Sequence, residues 1–114
     1  METIETGVEI IAAERQRQLE GEGYSPGHDD RHDSGELNDA AICYAAVSAQ
    51  QARGEIAHEW GPDFQRVSFP FPWEDSFWKP SADPIRNLAK AGALIAAEID
   101  RLKRQEVKRA ETGS

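Results

Sequence analysis

The stretch "HDDRHDSGELNDAA", residues 28–41, sets two histidines and five carboxylates within its first twelve positions. Such side chains bind divalent cations or move protons, and their spacing decides which use is physically reasonable. Glu36 and Asp39 are three residues apart, so on a helix they point the same way and can share a hard cation such as Mg²⁺ or Mn²⁺. Helical bundles build metal sites from facing helices, and Glu14 and Glu98 are the further carboxylates available for one. At 100° per residue, Glu98 falls about 80° from the apolar centre of its helix and Asp100 about 120° away on the other side. A carboxylate bordering a core needs a partner, which favours Glu98 as the ligand. Asp33 and Glu36 also have capping-box spacing, and acids suit the first turn of a helix. Capping alone therefore accounts for Glu36 and Asp39, and the residues by themselves support both readings.

The other polar candidates divide in the same way. His28, Asp29, Asp30 and His32 have no cysteine pair beside them, and a loop offers no fixed face for zinc. Their expected role is to orient the loop, either a ligand phosphate or the start of the following helix. Lys79 in "FWKP", with Arg86 and Lys90 one turn apart, are the cations best placed to meet phosphate; a solvated surface is their plain alternative. Trp73 and Trp78 are candidates to stack on a base, or else rings that plug one end of a bundle. Cys43 reads as a small core residue, His58 stands alone, and the glycines form neither a P-loop nor a GxGxxG turn.

Three helical stretches must position these groups. Ile4, Val8, Ile11 and Leu19 fall at helical spacing in the first, Ile4 to about Glu20. "GEGYSPGHDD" breaks the pattern as a loop. The second helix is expected to start near Asp33 or Ser34, bury Leu37, Ala40, Ala41, Tyr44 and Val47, and fade near Arg53. The third has Asp83 as N-cap and Pro84 at its first position. Its Ile85, Leu88, Gly92, Ile95, Ile99 and Leu102 follow coiled-coil spacing, and alanines occupy another side. Between the second and third lies "WGPDFQRVSFPFPWEDSFWKPSAD", with seven of the nine aromatics and four of the six prolines. That composition predicts an ordered loop packed by its own rings.

The fold expected is all-α: three main helices in a small bundle, completed by dimerisation, with the aromatic, proline-rich loop at one end. Residues 1–105 would form a single helical domain and 106–114 a polar C-terminal tail. The net charge is −8, and residues 101–114 hold five of the thirteen basic residues. The body before them carries the other 8 basic residues against 19 acidic, a balance of −11. Such a body repels a phosphate backbone, which disfavours duplex nucleic acid, but it does not repel a metal–nucleotide complex. One cysteine, no membrane-spanning apolar run and no basic N-terminal start predict a cytoplasmic protein, in a host cell if phage-encoded.

Two runs, "AAERQRQLEGEGYSPGHDDRHDSGELNDAAICYA" and "PFPWEDSFWKPSADPIRNLAKAGALIAAEIDRL", resemble a family of small phage and prophage proteins. More distantly, a helical chain with ERQ on its first helix and acid pairs later is similar to the MazG-like all-α nucleoside triphosphate pyrophosphohydrolases. That resemblance implies a homodimer that binds Mg²⁺ and releases pyrophosphate from a (deoxy)nucleoside triphosphate. Glu36 and Asp39 would be the catalytic acid pair, and Glu14, Glu36, Asp39 and Glu98 would hold the metal. Lys79, Arg86 and Lys90 would take the phosphates, and Trp73 or Trp78 the base. A member that binds nucleotide without turning it over is the other form the resemblance allows. The alternative from a different class is a non-enzymatic acidic phage protein that occupies a host protein or sequesters a nucleotide signal.

Overall fold

Thr6 and Glu9 open the first helix with reciprocal hydrogen bonds. The Thr6 amide donates to Glu9 Oε1 at 2.8 Å and the Glu9 amide to Thr6 Oγ1 at 3.2 Å. This capping box satisfies an amide at each of its two residues and fixes the start of α1, Gly7–Gly21. The computed structural model describes residues 4–21, 26–54, 72–73 and 77–112. Three more helices follow in it: α2 (Pro26–Asp30), α3 (Glu36–Ala52) and α4 (Pro84–Glu111). The described residues are thus all-α, with three long helices, one short helix and no strand. None of these helices is long and apolar enough to cross a membrane.

Several boundaries differ from the sequence expectation, and α1 starts at Gly7 rather than Ile4. The stretch read as loop before the second long helix contains the five-residue α2, and residues 106–111, expected as a polar tail, continue α4. The start of α3 also differs. Its N-cap is Gly35 at φ 85°, not Asp33 or Ser34, and Glu36 Oε1 accepts from the Ser34 amide at 2.6 Å. Glu36 does reach back, but to a turn that only glycine enters without strain. The start of α4 is as the sequence predicts: Asp83 Oδ1 accepts from the Ile85 amide at 3.0 Å, with Pro84 following.

α4 is the element on which the others pack, contacting α1, α2 and α3. Leu37, Ala40, Ala41, Cys43, Tyr44 and Val47 of α3 meet Ala91, Leu94 and Ala97 of α4 in the core. Trp78 lies in that core, and Trp73 packs against it. A buried polar knot closes the entry to α4. Asn87 Nδ2 donates to Gln51 Oε1 at 3.0 Å and to the Ser81 carbonyl at 2.8 Å, while its Oδ1 accepts from the Ser81 amide at 2.8 Å. The remainder of the expected aromatic loop, residues 60–71 and 74–76, lies outside the described residues, as does His58.

The face of α4 that packs is not the one its large residues mark. Ile85, Leu88, Ile95, Ile99 and Leu102 are 42–58% exposed, whereas Ala89, Ala93 and Ala97 are buried. Helix backbones approach most closely across small residues, so the alanine side takes the neighbouring helices and the large side chains of the seam face outward, while Gly92, the seam's small position, meets α1. Gly92 is the extreme case. A Cβ built there would lie 2.6 Å from Ile11 Cδ1, 2.8 Å from Cγ1 and 3.2 Å from Cγ2. Gly92→Ala should therefore lower stability by about 1 kcal/mol, because forcing Ile11 aside outweighs the better helix propensity of alanine. Urea unfolding of the two proteins, compared at their midpoints, checks this.

Candidate functional site

Glu14 sits in the second turn of α1 with 2% of its surface exposed. A buried carboxylate is tolerated only with partners, and Glu14 has three. Arg17 grips it with both ends of its guanidinium, Nε to Oε1 and Nη2 to Oε2, each at 2.8 Å. Arg86 Nη1, from the first turns of α4, also donates to Oε1. Gln18 Nε2 donates to Oε2 at 3.3 Å. Burial alone would raise the Glu14 carboxyl, but the hydrogen bonds and charges of Arg17 and Arg86 outweigh it and hold the group below its ordinary 4.5.

Around this cluster opens a pocket whose walls come from α1, α3, α4 and the segment leading into α4. Tyr44, Trp73 and Phe77 supply rings, and Leu94 an apolar wall. Arg17, Lys79 and Lys90 supply three positive charges, against Glu14 as one negative, so an acidic protein concentrates a net positive charge here. Lys90 Nζ lies 5.4 Å from the centre of the Tyr44 ring and donates to the Lys79 carbonyl. The Tyr44 hydroxyl donates to the Phe77 carbonyl at 3.3 Å and accepts from the Lys79 amide at 3.2 Å, which fastens residues 77–79 to α3. The pocket is partly open to solvent, with a cavity volume of about 40 Å³.

The residues expected to form a site are therefore placed unevenly. Lys79, Lys90 and Trp73 line the pocket with Glu14, and Arg86 reaches it only through Glu14. Trp78 does not line it; that ring is buried, tilted against Tyr44 with centroids 4.8 Å apart. The expected metal ligands do not converge. Among the described residues no three His, Cys, Asp or Glu side chains form a group that suits an ion, so Glu14, Glu36, Asp39 and Glu98 are not one set. Glu98 pairs with Arg101 three residues on, Nε to Oε1 at 2.6 Å, with both side chains buried. Glu36, besides the Ser34 amide, faces His32 Nδ1 at 3.6 Å. Asp39 lies near enough to Cys43 to add to the effect of burial, which pushes that thiol up to about 11. A thiol so protonated is a core residue rather than a nucleophile.

The acids of "HDDRHD" serve the architecture. Asp29 is fully buried and accepts from Arg15 Nη2 at 3.0 Å, joining α2 to α1. Asp30 accepts from Arg104 Nη2 at 2.7 Å and Nε at 3.1 Å, joining α2 to α4. His28 and His32 meet edge to face at 4.8 Å, and His32 lies 5.1 Å from the Trp73 ring. The stretch thus positions both the start of α3 and one aromatic wall of the pocket. Sequence reasoning missed Arg17, Gln18 and Tyr44, whereas Phe77, a ring of the aromatic loop considered for stacking with Trp73 and Trp78, does line the pocket. Arg17 and Gln18 were within reach, since they stand three and four residues after Glu14 in one helix.

Comparison with protein-family models, curated proteins and solved structures gives no match for this chain.

Glu14→Gln should cost about 2 kcal/mol at neutral pH, since it leaves Arg17 and Arg86 without their buried partner. The Glu14 carboxyl is depressed in the folded state. Its contribution is therefore whole above its unfolded value and is lost as pH falls through the lower folded one. Denaturation from pH 7 down through 4.5 should show the gap between wild type and variant narrowing on the acid side.

Proposed function

We propose that this chain binds a phosphorylated aromatic metabolite, a nucleotide, in the pocket between α1, α3 and α4. The observation that carries this reading is the lining: three rings and three cations surround one compensated carboxylate on a protein of net charge −8. Rings take the flat face of a base, and the ammonium groups of Lys79 and Lys90 take phosphate. An acidic protein has little reason to gather cations at an aromatic pocket unless an anion is to be held there.

The reading is that of a nucleotide binder, the form of the MazG-like resemblance without turnover. A pyrophosphohydrolase needs carboxylates free to hold Mg²⁺ or Mn²⁺. Here Glu14 and Glu98 are each engaged by arginine and no three of the four expected ligands come together, so the residues present do not fit the ion.

The test is a panel of nucleoside triphosphates, scored by thermal shift and by pyrophosphate release, with and without Mg²⁺. Binding at about ten times Kd should raise the melting temperature by roughly 5 °C without releasing pyrophosphate. Lys79→Ala and Lys90→Ala should each weaken binding about tenfold, the loss of one charged hydrogen bond. Metal-dependent pyrophosphate release that Glu36→Gln abolishes would replace this reading with the hydrolase.

The outward seam of α4 favours a second copy of the chain as its cover, because its spacing of three and four is that by which two helices mesh. Half-exposed Ile and Leu side chains in such a row also leave apolar surface that monomers rarely show. Sedimentation equilibrium should find a dimer at micromolar concentration, and Ile99→Glu should convert it to monomer. A monomeric wild type would direct attention to a host protein as the partner of this face.

A further inference from the structure

We propose that the cavity between α2, the turn after it and the C-terminal turns of α4 binds a phosphate group, held by Arg101, Arg104 and Lys108. It measures about 160 Å³ and is lined by Asp30, Asp33, Arg101, Arg104, Gln105 and Lys108. Among the described residues, none lines both this cavity and the pocket around Glu14, and the inference does not rest on the nucleotide reading. The space admits a phosphate group with water beside it. Spacings of three and four set the three cations on one face of α4.

Two of the cations are oriented before any ligand arrives. Arg101 gives its Nε and Nη2 to Glu98, at 2.6 and 3.2 Å. Arg104 gives its Nε and Nη2 to Asp30 Oδ1, at 3.1 and 2.7 Å. The third nitrogen of each, Nη1, has no hydrogen-bond partner among the described residues and stays open to solvent. Lys108 adds an exposed ammonium whose charge acts on Asp30. Guanidinium groups already fixed by their acids lose little freedom when an anion arrives.

The arrangement favours phosphate over carboxylate. A carboxylate is met best by a two-nitrogen guanidinium edge. Arg101 has given one edge to Glu98, and Arg104 has none left, because its Nη2 also donates to the Pro26 carbonyl at 3.3 Å. Donation from three separate side chains suits a phosphate group, whose oxygens point apart. Net charge does not draw the anion in, since Glu98, Asp30 and Asp33 balance the three cations; the placement of open donors does. Asp33 is the opposing group. It is exposed, has no hydrogen-bond partner among the described residues, and its charge acts on Arg101. It therefore competes with the anion for Arg101, and removing its charge improves binding.

Titration of the full chain with inorganic phosphate, followed by amide NMR shifts in dilute chloride buffer at neutral pH, tests this. The Lys79→Ala, Lys90→Ala protein is used throughout, so that the ammonium groups of the first pocket do not contribute. Phosphate should bind with a Kd on the order of 1 mM, and the shifts should centre on residues 30–33 and 101–108. Lys108→Ala should weaken binding about fivefold, and Asp33→Asn should tighten it about threefold. Both side chains are exposed, so neither substitution disturbs the fold. Acetate should bind at least about fivefold more weakly than phosphate. Shifts centred elsewhere, or a Kd that ignores both substitutions, would overturn the site. So would the absence of any shift at about 20 mM phosphate. Acetate binding as tightly as phosphate would overturn the choice of ligand. None of these results bears on the pocket around Glu14.

Discussion

One buried carboxylate organises this molecule. Glu14 has almost no contact with water, and an ion in that position persists only if opposite charge and hydrogen bonds surround it. Arg17 supplies them from the same helix, and Arg86 from α4, far away in sequence. The requirement to pair Glu14 therefore pins α1 across the start of α4, and it also fixes which way Gln18 turns its amide. The wall of the pocket is a by-product of compensating one charge.

Arginine–carboxylate pairs recur at three further places, buried at Asp29 and Glu98 and partly exposed at Asp30, and together they help an acidic chain this short hold its helices. Arg15 with Asp29 ties α1 to α2, Arg104 with Asp30 ties α2 to α4, and Arg101 with Glu98 braces α4 itself. Residues of a type that suit a divalent cation are thereby spent on guanidinium groups. A carboxylate whose oxygens accept from arginine has little left for an ion, and this holds for Glu14 and Glu98 among the four expected ligands. Beside them lies the cationic rim around Tyr44, where Lys79 stands on a segment that Tyr44 fastens and Lys90 of α4 lies over the Tyr44 ring.

Much of this was legible in advance. Helical periodicity located the three long helices, Asp83 and Pro84 marked the start of α4, and the apolar face of α3 from Leu37 to Val47 is buried as its spacing implies. Lys79, Lys90, Trp73 and Glu14 were recognisable as candidates from their types and neighbours, and all four line one pocket. Other features were not legible. Gly35 displaced Asp33 as the cap because a left-handed turn was sterically open to it, and a capping-box spacing cannot report that. Trp78 looked as available for stacking as Trp73, and only packing against Tyr44 separates a core ring from a pocket ring.

The sequence by itself determined the all-α class, the positions of the long helices, though not the extension of α4 through residues 106–111, and the inventory of charges and rings from which a site could be made. These follow from local causes, since periodicity, capping and composition act over a few residues. Tertiary structure alone decided which side of α4 faces inward, that Arg86 joins Arg17 on Glu14, and that no three of the four carboxylates form one group. Those outcomes depend on contacts across tens of residues. There the small faces of Gly92 and the alanines allowed helices closer than the larger side chains did.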